Sequence, residues 1–280
     1  MKLVTWNTQW CCGLDGTVNP RRIVEGAHAL ADFDVLCLQE VSQGFDGLRG
    51  QPGDQPAQLA ALLPGLRCFF GAAVDEFRPD GERQRFGNLV ATRLPVARVQ
   101  HHALPWPADG SVESMPRMCT VVTVRSPRLG DVRVMTTHLE YYSAPQRLAQ
   151  ARALRALHDE ACALAATPPK AIDDGSPFQP KVHTPHALLC GDFNAELSDP
   201  AIAAIVADSG PHALRNAWPL VHGDAPHAPT FRLFDRTYGA DPMACDFVFV
   251  SAGLAARVRR VEIDAHTRAS DHQPVLVEFD

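Results

Sequence analysis

Six short segments of the chain place polar residues at the end of an apolar, strand-like run. These segments are TWN at 5–7, LQEV at 38–41, PR at 116–117, TTHL at 136–139, GDFN at 191–194 and SDH at 270–272, and Asp246 in CDFVFVS adds a seventh. Polar residues at the strand ends of an α/β sheet cluster on one rim, where the buried scaffold fixes their geometry. We therefore expect these side chains to meet in one site.

The chemistry of this set is that of oxygen and imidazole groups. In chain order the ionisable and amide residues are Asn7, Glu40, His138, Asp192, Asn194, Asp246, Asp271 and His272. Carboxylate and amide oxygens suit a hard cation such as Mg²⁺ or Mn²⁺, which keeps several waters and accepts phosphate oxygens. Two imidazoles beside such an ion would transfer protons near neutral pH. Each segment taken singly also fits a turn or a helix cap, so the prediction depends on their joint occurrence.

Strand-like apolar runs recur along the chain, and several are nearly continuous, as expected for strands covered on both faces. The runs lie at 2–7, 34–39, 87–92, 119–125, 131–138, 187–192, 245–250 and 273–279. Apolar periodicity predicts helices at 20–31, 56–63 and 145–166. Prolines and polar residues predict irregular segments at 167–186 and 219–230. The alternation of strands and helices predicts the α/β class.

The combination of QE, GDFN and SDH in this order resembles the endonuclease/exonuclease/phosphatase superfamily, over almost the whole chain from Asn7 to His272. The resemblance implies a four-layer α/β sandwich, in which two mixed β-sheets pack face to face and are flanked by helices. It also implies a Mg²⁺-dependent hydrolase, with Mn²⁺ as a substitute, in which an activated water attacks a phosphodiester. A nucleic acid or a nucleotide-like diester would be the substrate.

Two other functions stay open at this point. One is a phosphomonoesterase or a lipid head-group hydrolase of the same superfamily, which the net charge of −6 keeps in consideration. The other is a non-catalytic binding module, which would have lost at least one metal or histidine position. All the main positions are present in this chain.

The resemblance assigns the metal to three residues. It implies that Glu40 is the primary ligand and that Asn7 holds metal or phosphate beside it. Asp271 would hold the metal or its waters.

The resemblance likewise implies the catalytic positions. Asp192 and His272 would share the activation of the water, and Asp246 would orient His272. The other catalytic residues, which would contact the phosphate or neutralise its charge, are His138, Asn194 and Arg117.

Several positions fit more than one interpretation. Asn88 fits either a turn residue or a substrate-binding residue alongside Asn194 and Arg117, and Arg117 also fits an exposed strand arginine. Gln9 stands where abasic-site endonucleases carry an acid, which weakens that branch. The Glu that pairs with the first catalytic His of pancreatic-type DNases has no clear counterpart. Asn88, in the family-like string GNLVATRLP, is the favoured occupant of that region, and Glu113 is another candidate partner.

The substrate cleft is expected to be shaped by long segments between the predicted elements. These segments are 42–57, 72–86, 101–116 and 167–186. Trp10 and Trp106 fit either rings that line this cleft or simple packing residues.

Bulk composition fits a globular protein of one domain, residues 1–280, with 46% hydrophobic and 21% charged residues. The negative net charge disfavours a broad basic surface for nucleic acid. The eight cysteines lie mostly in apolar runs without a CxxC pair, which predicts reduced core thiols rather than a zinc site. No segment approaches the ~18 apolar residues of a membrane span, and the first twenty residues do not resemble a signal peptide. We expect a cytoplasmic location, and the sequence indicates no protein partner.

Overall fold

The computed structural model describes residues 1–207 and 210–280. The strands of these residues are β1 (Lys2–Asn7), β2 (Val35–Gln43), β3 (Arg67–Phe77), β4 (Arg83–Thr92), β5 (Val96–Ala103), β6 (Met118–Ser126), β7 (Gly130–His138), β8 (Ala187–Asp192), β9 (Leu214–Asn216), β10 (Asp246–Ser251), β11 (Val258–Ile263) and β12 (Val275–Phe279). The helices are α1 (Pro20–Leu30), α2 (Gln55–Leu62), α3 (Ala144–Ala166), α4 (Pro200–Val206), α5 (Ala217–His222) and α6 (Ala252–Ala255), with a 3-10 turn at Gln9–Cys11.

The strands form two mixed sheets of six strands each. The first has the order β11-β12-β1-β2-β4-β3, and the second has the order β5-β6-β7-β8-β10-β9. β1 pairs in parallel with β2, and β7 pairs in parallel with β8, while the remaining pairs are antiparallel. The first sheet contains both chain ends, so its central strands bring the N-terminal and C-terminal motifs together.

Alternation along the central strands divides the core into layers. In β1, Leu3 joins the core between the sheets, whereas Val4 and Trp6 join the core that also contains residues of α1 and α2. In β10, Val248 joins the core between the sheets, and Phe249 joins the core that also contains residues of α3 and α4. Apolar layers therefore lie between the sheets and on both outer faces, which confirms the expected four-layer sandwich of helix, sheet, sheet and helix.

Local sequence fixes where the main helices begin. Asn19 caps α1 by accepting hydrogen bonds from the backbone N–H of Arg21 and Arg22, and Pro20 occupies the first turn, where no N–H is needed. Ser143 caps α3 in the same way through Gln146 N–H. This second cap fixes the chain immediately after the THLE segment, so it helps to hold the site described below.

The eight predicted strands are the eight inner strands of the two sheets. The four strands without a prediction are β3, β5, β9 and β11, and each is an edge strand. β3 and β5 are mostly half-buried or exposed, so they lack the continuous apolar runs that mark the inner strands.

The predicted irregular segment at 219–230 is wrong at its start, because α5 reaches His222. Asn216 caps this helix by accepting from Trp218 N–H at 3.0 Å. Pro219 is the third helical residue, where its missing N–H would have no partner within the helix. The proline therefore does not prevent a short helix.

The eight cysteines are free, and all but Cys68 are buried, as predicted for reduced core thiols. Among the described residues, no helix combines the length and apolar character needed to cross a bilayer. The expected cytoplasmic location stays a prediction.

Candidate active site

Along the central strands, the alternate residues that face the core between the sheets end in polar residues at one rim of the sandwich. In β8, Leu188 and Cys190 belong to the core between the sheets, and Asp192 follows them with the same period of two. Asp192 is the register partner of His138 on β7 and of Asp246 on β10. The ends of three neighbouring strands thus place these side chains together.

Glu40 reaches this rim because β2 contains a bulge. The pairing between β2 and β4 shifts register between Leu38 and Val41, and Glu40 has a φ of +58°. In regular alternation Glu40 would follow Leu36 and Leu38 to the outer face, and a bulge re-aims such a side chain. This backbone conformation is unfavourable for a non-glycine residue by about 1–2 kcal/mol, and the surrounding structure compensates for it.

Gly191 allows β7 and β8 to approach each other directly before Asp192. Its φ is +133°, and a Cβ atom at this position would lie 1.9 Å from the carbonyl oxygen of Thr137. Only glycine fits this contact, because the Thr137 oxygen belongs to the backbone and has little freedom to move. The glycine of GDFN therefore sets the position of the adjacent carboxylate.

The SDH segment is fixed against β1. Ser270 Oγ donates to the carbonyl of Asn7 at 2.8 Å, and Trp6 Nε1 donates to the carbonyl of His272 at 3.0 Å. Gln9 Nε2 donates to Asp271 Oδ2 at 2.9 Å. These contacts bring the last motif of the chain to the first.

A buried amide joins two carboxylates at the centre of the rim. Asn7 Nδ2 donates to Glu40 Oε1 and to Asp192 Oδ2, both at 2.9 Å. Asn7 Oδ1 accepts from Gln9 N–H at 3.1 Å. Burial and then the charge of Asp271 raise the pKa of Glu40 to about 7, so the ionised form of Glu40 is disfavoured in this geometry.

His138 is held as a neutral ring. Its Nε2 accepts from Asn194 Nδ2 at 2.9 Å and lies 3.5 Å from Asp192 Oδ2 and 3.9 Å from Glu40 Oε1. Burial, followed by the charge of Arg117, lowers the pKa of His138 to about 3. The accepting role of Nε2 places the ring proton on Nδ1.

His272 has the opposite electrostatic environment. Burial opposes its charged form, but the carboxylates of Asp246 and Asp192 outweigh burial and raise its pKa well above the ordinary value. Its Nδ1 lies 2.9 Å from Asp246 Oδ2, and its Nε2 lies 3.6 Å from Asp192 Oδ2. Thr230 Oγ1 donates to the same Asp246 oxygen at 2.6 Å, and Phe231 stacks on the imidazole at 4.3 Å between centroids.

Arg117 is buried and paired with an acid that the sequence did not indicate. Its Nε donates to Glu140 Oε2 at 3.1 Å, and the two side chains are 7% and 1% exposed. Arg117 Nη1 is buried without a hydrogen-bond partner in the described structure. The guanidinium is therefore not an exposed strand arginine, and one of its nitrogens keeps an unused donor.

These groups share one open cavity of about 600 Å³. The predicted site residues that line it are Glu40, Arg117, His138, Asp192, Asn194, Asp271 and His272. Asn7 and Asp246 lie behind this lining and contact it through the hydrogen bonds given above. Residues of the segments 42–57, 72–86 and 101–116 also line the cavity, including Trp106, and so does Trp10.

A model of the endonuclease/exonuclease/phosphatase family matches residues 4–272, and this range holds every motif of the site. The chain belongs to this family. A comparison with curated proteins finds no match.

Solved structures share the fold of this chain over nearly its whole length. An endonuclease/exonuclease/phosphatase from Beutenbergia cavernae DSM 12333 is 25% identical with a TM-score of 0.72, covering 99% of this chain and 70% of that chain. The mannosyl-6-phosphatase Bt3783 of Bacteroides thetaiotaomicron is 19% identical, with a TM-score of 0.69 and 100% and 99% coverage. Truncated Caenorhabditis elegans TDP2 is 18% identical, with a TM-score of 0.65 and 99% and 96% coverage.

Members of this family are phosphoesterases that generally depend on a divalent metal, and the donor set of this chain fits such an ion. Ligand atoms of Glu40, His138 and Asp192 lie within 4.8 Å of one another. The raised pKa values of Glu40 and Asp271, due first to burial, are what a site of crowded carboxylates shows without a cation. Oxygen-rich ligands of this kind suit Mg²⁺ or Mn²⁺.

The remaining predictions concern Asn88, Glu113 and the segment 167–186. Asn88 Nδ2 donates to the carbonyl of Met118 at 3.3 Å, and Asn88 does not line the cavity in the described chain, so its substrate contact stays a prediction. Glu113 lies at the cavity lining on an exposed loop. The segment 167–186 does not contribute to this cavity.

Gln39 and Glu140 are functional candidates that sequence reasoning missed. Gln39 Nε2, on β2, donates to Thr136 Oγ1 on β7 at 2.8 Å, which links the two sheets directly below the site. The signal for Glu140 was its place after the histidine in THLE, where an acid ends an apolar strand.

Proposed function

We propose that this chain hydrolyses phosphodiester bonds through metal-assisted attack of an activated water, with Mg²⁺ as the ion and Mn²⁺ as a substitute. The observation that carries the proposal is the convergence of two imidazoles on one carboxylate inside the cavity. Asp192 Oδ2 lies 3.5 Å from His138 Nε2 and 3.6 Å from His272 Nε2. A phosphoryl group bound there would meet proton-transfer groups and charge-stabilising groups together.

Glu40, Asn7 and Asp271 would hold the ion. When bound, the ion supplies a Lewis acid for the phosphoryl oxygens and lowers the pKa of a coordinated water. In the present geometry Asn7 directs its N–H toward Glu40 and Asp192, so it would also hold these carboxylates at the correct separation.

Asp192 and His272 would share the handling of the water proton. Asp246 fixes the orientation of His272 and stabilises its charged form. Because Asp192 receives an N–H from Asn7 and lies close to His272, it would orient the water while the imidazole balances the developing charge.

Arg117 would hold the phosphoryl oxygens. Asn194 and His138, which are hydrogen-bonded to each other at 2.9 Å, would contact these oxygens once that bond opens. Arg117 Nη1 supports this role, because it is buried beside the cavity without a partner. A guanidinium held in place before substrate binds stabilises negative charge without further reorganisation.

The charge of the cavity favours a diester over a monoester. Arg117 is the one guanidinium among the described residues that line the cavity, and Glu140 already pairs with it. A diester carries one negative charge near neutral pH, whereas a monoester carries nearly two. The diester therefore meets less repulsion from the surrounding carboxylates.

The test is the hydrolysis of bis-p-nitrophenyl phosphate and p-nitrophenyl phosphate by purified protein in Mg²⁺, in Mn²⁺ or in EDTA. We expect metal-dependent turnover of the diester that falls at least about 100-fold in Glu40→Gln and His272→Ala. Glu25→Gln and His266→Ala change the same residue types at exposed positions outside the cavity and should retain full activity.

Metal binding is measured separately through the melting temperature, which Mg²⁺ should raise in wild type but much less in Glu40→Gln. A faster monoester reaction would replace the diesterase proposal with the phosphatase alternative. Absence of both turnover and metal stabilisation would contradict the enzyme proposal and favour a binding module.

A further inference from the structure

A row of aromatic rings leads from the reaction centre toward the cavity mouth. Phe231 stacks on His272 at 4.3 Å between centroids, and Tyr238 follows Phe231 at 6.2 Å. Tyr141 lies 6.1 Å from Tyr238, and Tyr142 lies 4.8 Å from Tyr141. We call Phe231, Tyr238, Tyr141 and Tyr142 the aromatic wall, and all four line the cavity.

The aromatic wall is held in place and still presents open ring surface. Tyr141 Oη donates to the carbonyl of Tyr238 at 3.3 Å, and Tyr142 N–H donates to Glu140 Oε1 at 3.0 Å. Tyr142 and Tyr238 are nevertheless 52% and 46% exposed. Exposed aromatic rings inside a cavity are surface that an apolar ligand group would cover.

Trp106 adds a further exposed ring to the cavity from the segment between β5 and β6. It is 51% exposed, and its Nε1 donates to Ser114 Oγ at 3.0 Å. Gln146 of α3 donates to the carbonyl of Pro107 at 2.8 Å and to Ser114 Oγ at 3.3 Å. These hydrogen bonds fix the loop, so the indole has a defined position rather than a freely moving one.

Negative charge surrounds these rings. The carboxylates that line the cavity within the described chain are Glu40, Glu76, Glu113, Glu140, Asp192 and Asp271. Arg117 is the guanidinium that opposes them, and a bound divalent ion would offset two charges at the reaction centre only. Glu76 and Glu113 are exposed, line the cavity and lie outside the proposed metal ligands, so the ion would not neutralise their charge directly.

We infer that the cavity selects phosphoesters whose alcohol group is apolar and carries no negative charge of its own, an inference that rests on the proposed function. The phosphate would lie among Arg117, His138 and His272, and the alcohol group would cover the aromatic wall and Trp106. The exposed ring surface and the negative charge of the cavity together determine which alcohol group it accepts.

Nucleic acid fits this cavity poorly. Each further phosphate of a polynucleotide brings a negative charge, and proteins that bind it line the path with Lys or Arg. The cavity that contains the aromatic wall is instead lined by Glu76 and Glu113. An uncharged alcohol group avoids this repulsion and buries the exposed rings.

The experiment compares diaryl phosphates that differ in the charge of the alcohol group. Diphenyl phosphate, bis(4-carbamoylphenyl) phosphate and bis(4-carboxyphenyl) phosphate are each incubated with wild-type protein in Mg²⁺, and their rates of hydrolysis are measured. The carboxamide and the carboxylate have nearly the same size but differ as leaving groups. The change in their kcat/KM ratio between wild type and a charge variant cancels that difference and reports charge. We expect the carboxamide diester to exceed the carboxylate diester at least about tenfold.

Variants test which residues cause the difference in kcat/KM between the carboxamide and carboxylate diesters. Glu76→Gln together with Glu113→Gln should reduce the ratio at least about threefold, whereas Glu25→Gln should leave it unchanged. Trp106→Ala and Tyr142→Ala should each raise KM for diphenyl phosphate about tenfold with little change in kcat. Phe77→Ala removes an aromatic ring that is 69% exposed outside the cavity and serves as the matched control.

The experiment distinguishes failure of this inference from failure of the proposed function. Metal-dependent turnover with equal kcat/KM for the carboxamide and carboxylate diesters, or with no effect of Trp106→Ala and Tyr142→Ala, overturns the inference and leaves the proposed function standing. Lack of metal-dependent turnover on every diester, bis-p-nitrophenyl phosphate included, overturns the proposed function and this inference with it.

Discussion

Arg117 and Glu140 form a buried ion pair beside the reaction centre, with Arg117 Nε 3.1 Å from Glu140 Oε2. Glu140 is itself held from two sides, because its N–H donates to Gln150 Oε1 at 2.9 Å and its Oε1 accepts from Tyr142 N–H at 3.0 Å. The acid therefore positions the guanidinium, whose Nη1 stays without a partner. The pair connects the end of β7 and the start of α3 to the group that would bind phosphate.

Glu140→Gln should lower both stability and activity. The change leaves the Arg117 charge buried without its carboxylate, and breaking a buried pair costs about 3–5 kcal/mol, part of which the Gln amide oxygen recovers. Activity on bis-p-nitrophenyl phosphate should fall at least about tenfold, because the guanidinium loses its fixed position. Urea unfolding and kcat/KM are the measurements.

Asp131→Asn is the matched control for this pair. Asp131 of β7 forms an exposed pair with Arg125 of β6 at 3.6 Å, with Arg125 60% exposed, at the opposite ends of these strands from Arg117 and Glu140. Exposed pairs contribute about 0–1 kcal/mol, so this variant should keep nearly the full stability and activity. Equal losses in the two variants would contradict a special role for Glu140.

Asp246→Asn should lower kcat with little change in KM. Asp246 Oδ2 lies 2.9 Å from His272 Nδ1 and supports the charged imidazole, whereas Asp246 does not line the cavity and has no direct contact with a substrate there. Loss of a group that orients a proton-transfer residue costs up to about 100-fold in rate. The separate values of kcat and KM test the assignment, and an increase confined to KM would contradict it.

The sequence was sufficient for the inner part of the fold. The inner strands are covered on both faces, so their apolar runs were visible without a structure. Period-two alternation then carries polar residues such as Asp192 and His138 to the inner face at one rim. The edge strands β3, β5, β9 and β11 lack this signal, because one side of each is unpaired and much of its surface meets solvent.

The parts of the site that could not be predicted depend on contacts between distant segments. The resemblance predicted Glu40 as a site residue, but not the bulge with a φ of +58° that brings it to the cavity, because a bulge has no simple signature in composition. Glu140 follows His138 by only two residues, yet its partner Arg117 belongs to the preceding strand region. Gln39 appeared to be part of the QE motif, whereas its side chain links the two sheets through Thr136.

Asn7→Asp should make stability depend more strongly on metal. In wild type the Asn7 amide donates to Glu40 and Asp192, and the variant replaces this donor with a third carboxylate. In EDTA we expect the free energy of unfolding to fall by about 3 kcal/mol, since a buried carboxylate loses its donor and gains a like charge. Mg²⁺ should then stabilise the variant more than it stabilises wild type.

Urea unfolding in EDTA and in Mg²⁺ measures this difference. Asn7→Ala is the informative partner variant, because it removes the donor without adding charge. Mg²⁺ should therefore stabilise Asn7→Ala no more than it stabilises wild type. If Mg²⁺ stabilised wild type and Asn7→Asp equally, the proposed metal position beside Asn7 would be wrong.

His158, remote from the reaction centre, should make stability fall in mild acid. Burial, followed by the charge of Arg133, lowers its pKa from 6.5 to about 4, and its Nδ1 accepts from Arg133 Nη2 at 2.9 Å. A depressed folded-state pKa gives stability that is present above pH 6.5 and is lost as the pH falls toward 4, by up to about 1.4 kcal/mol per pH unit. His158→Gln should flatten this slope in urea unfolding, whereas the exposed control His266→Gln should not. Parallel slopes for wild type and His158→Gln would contradict the neutral buried histidine.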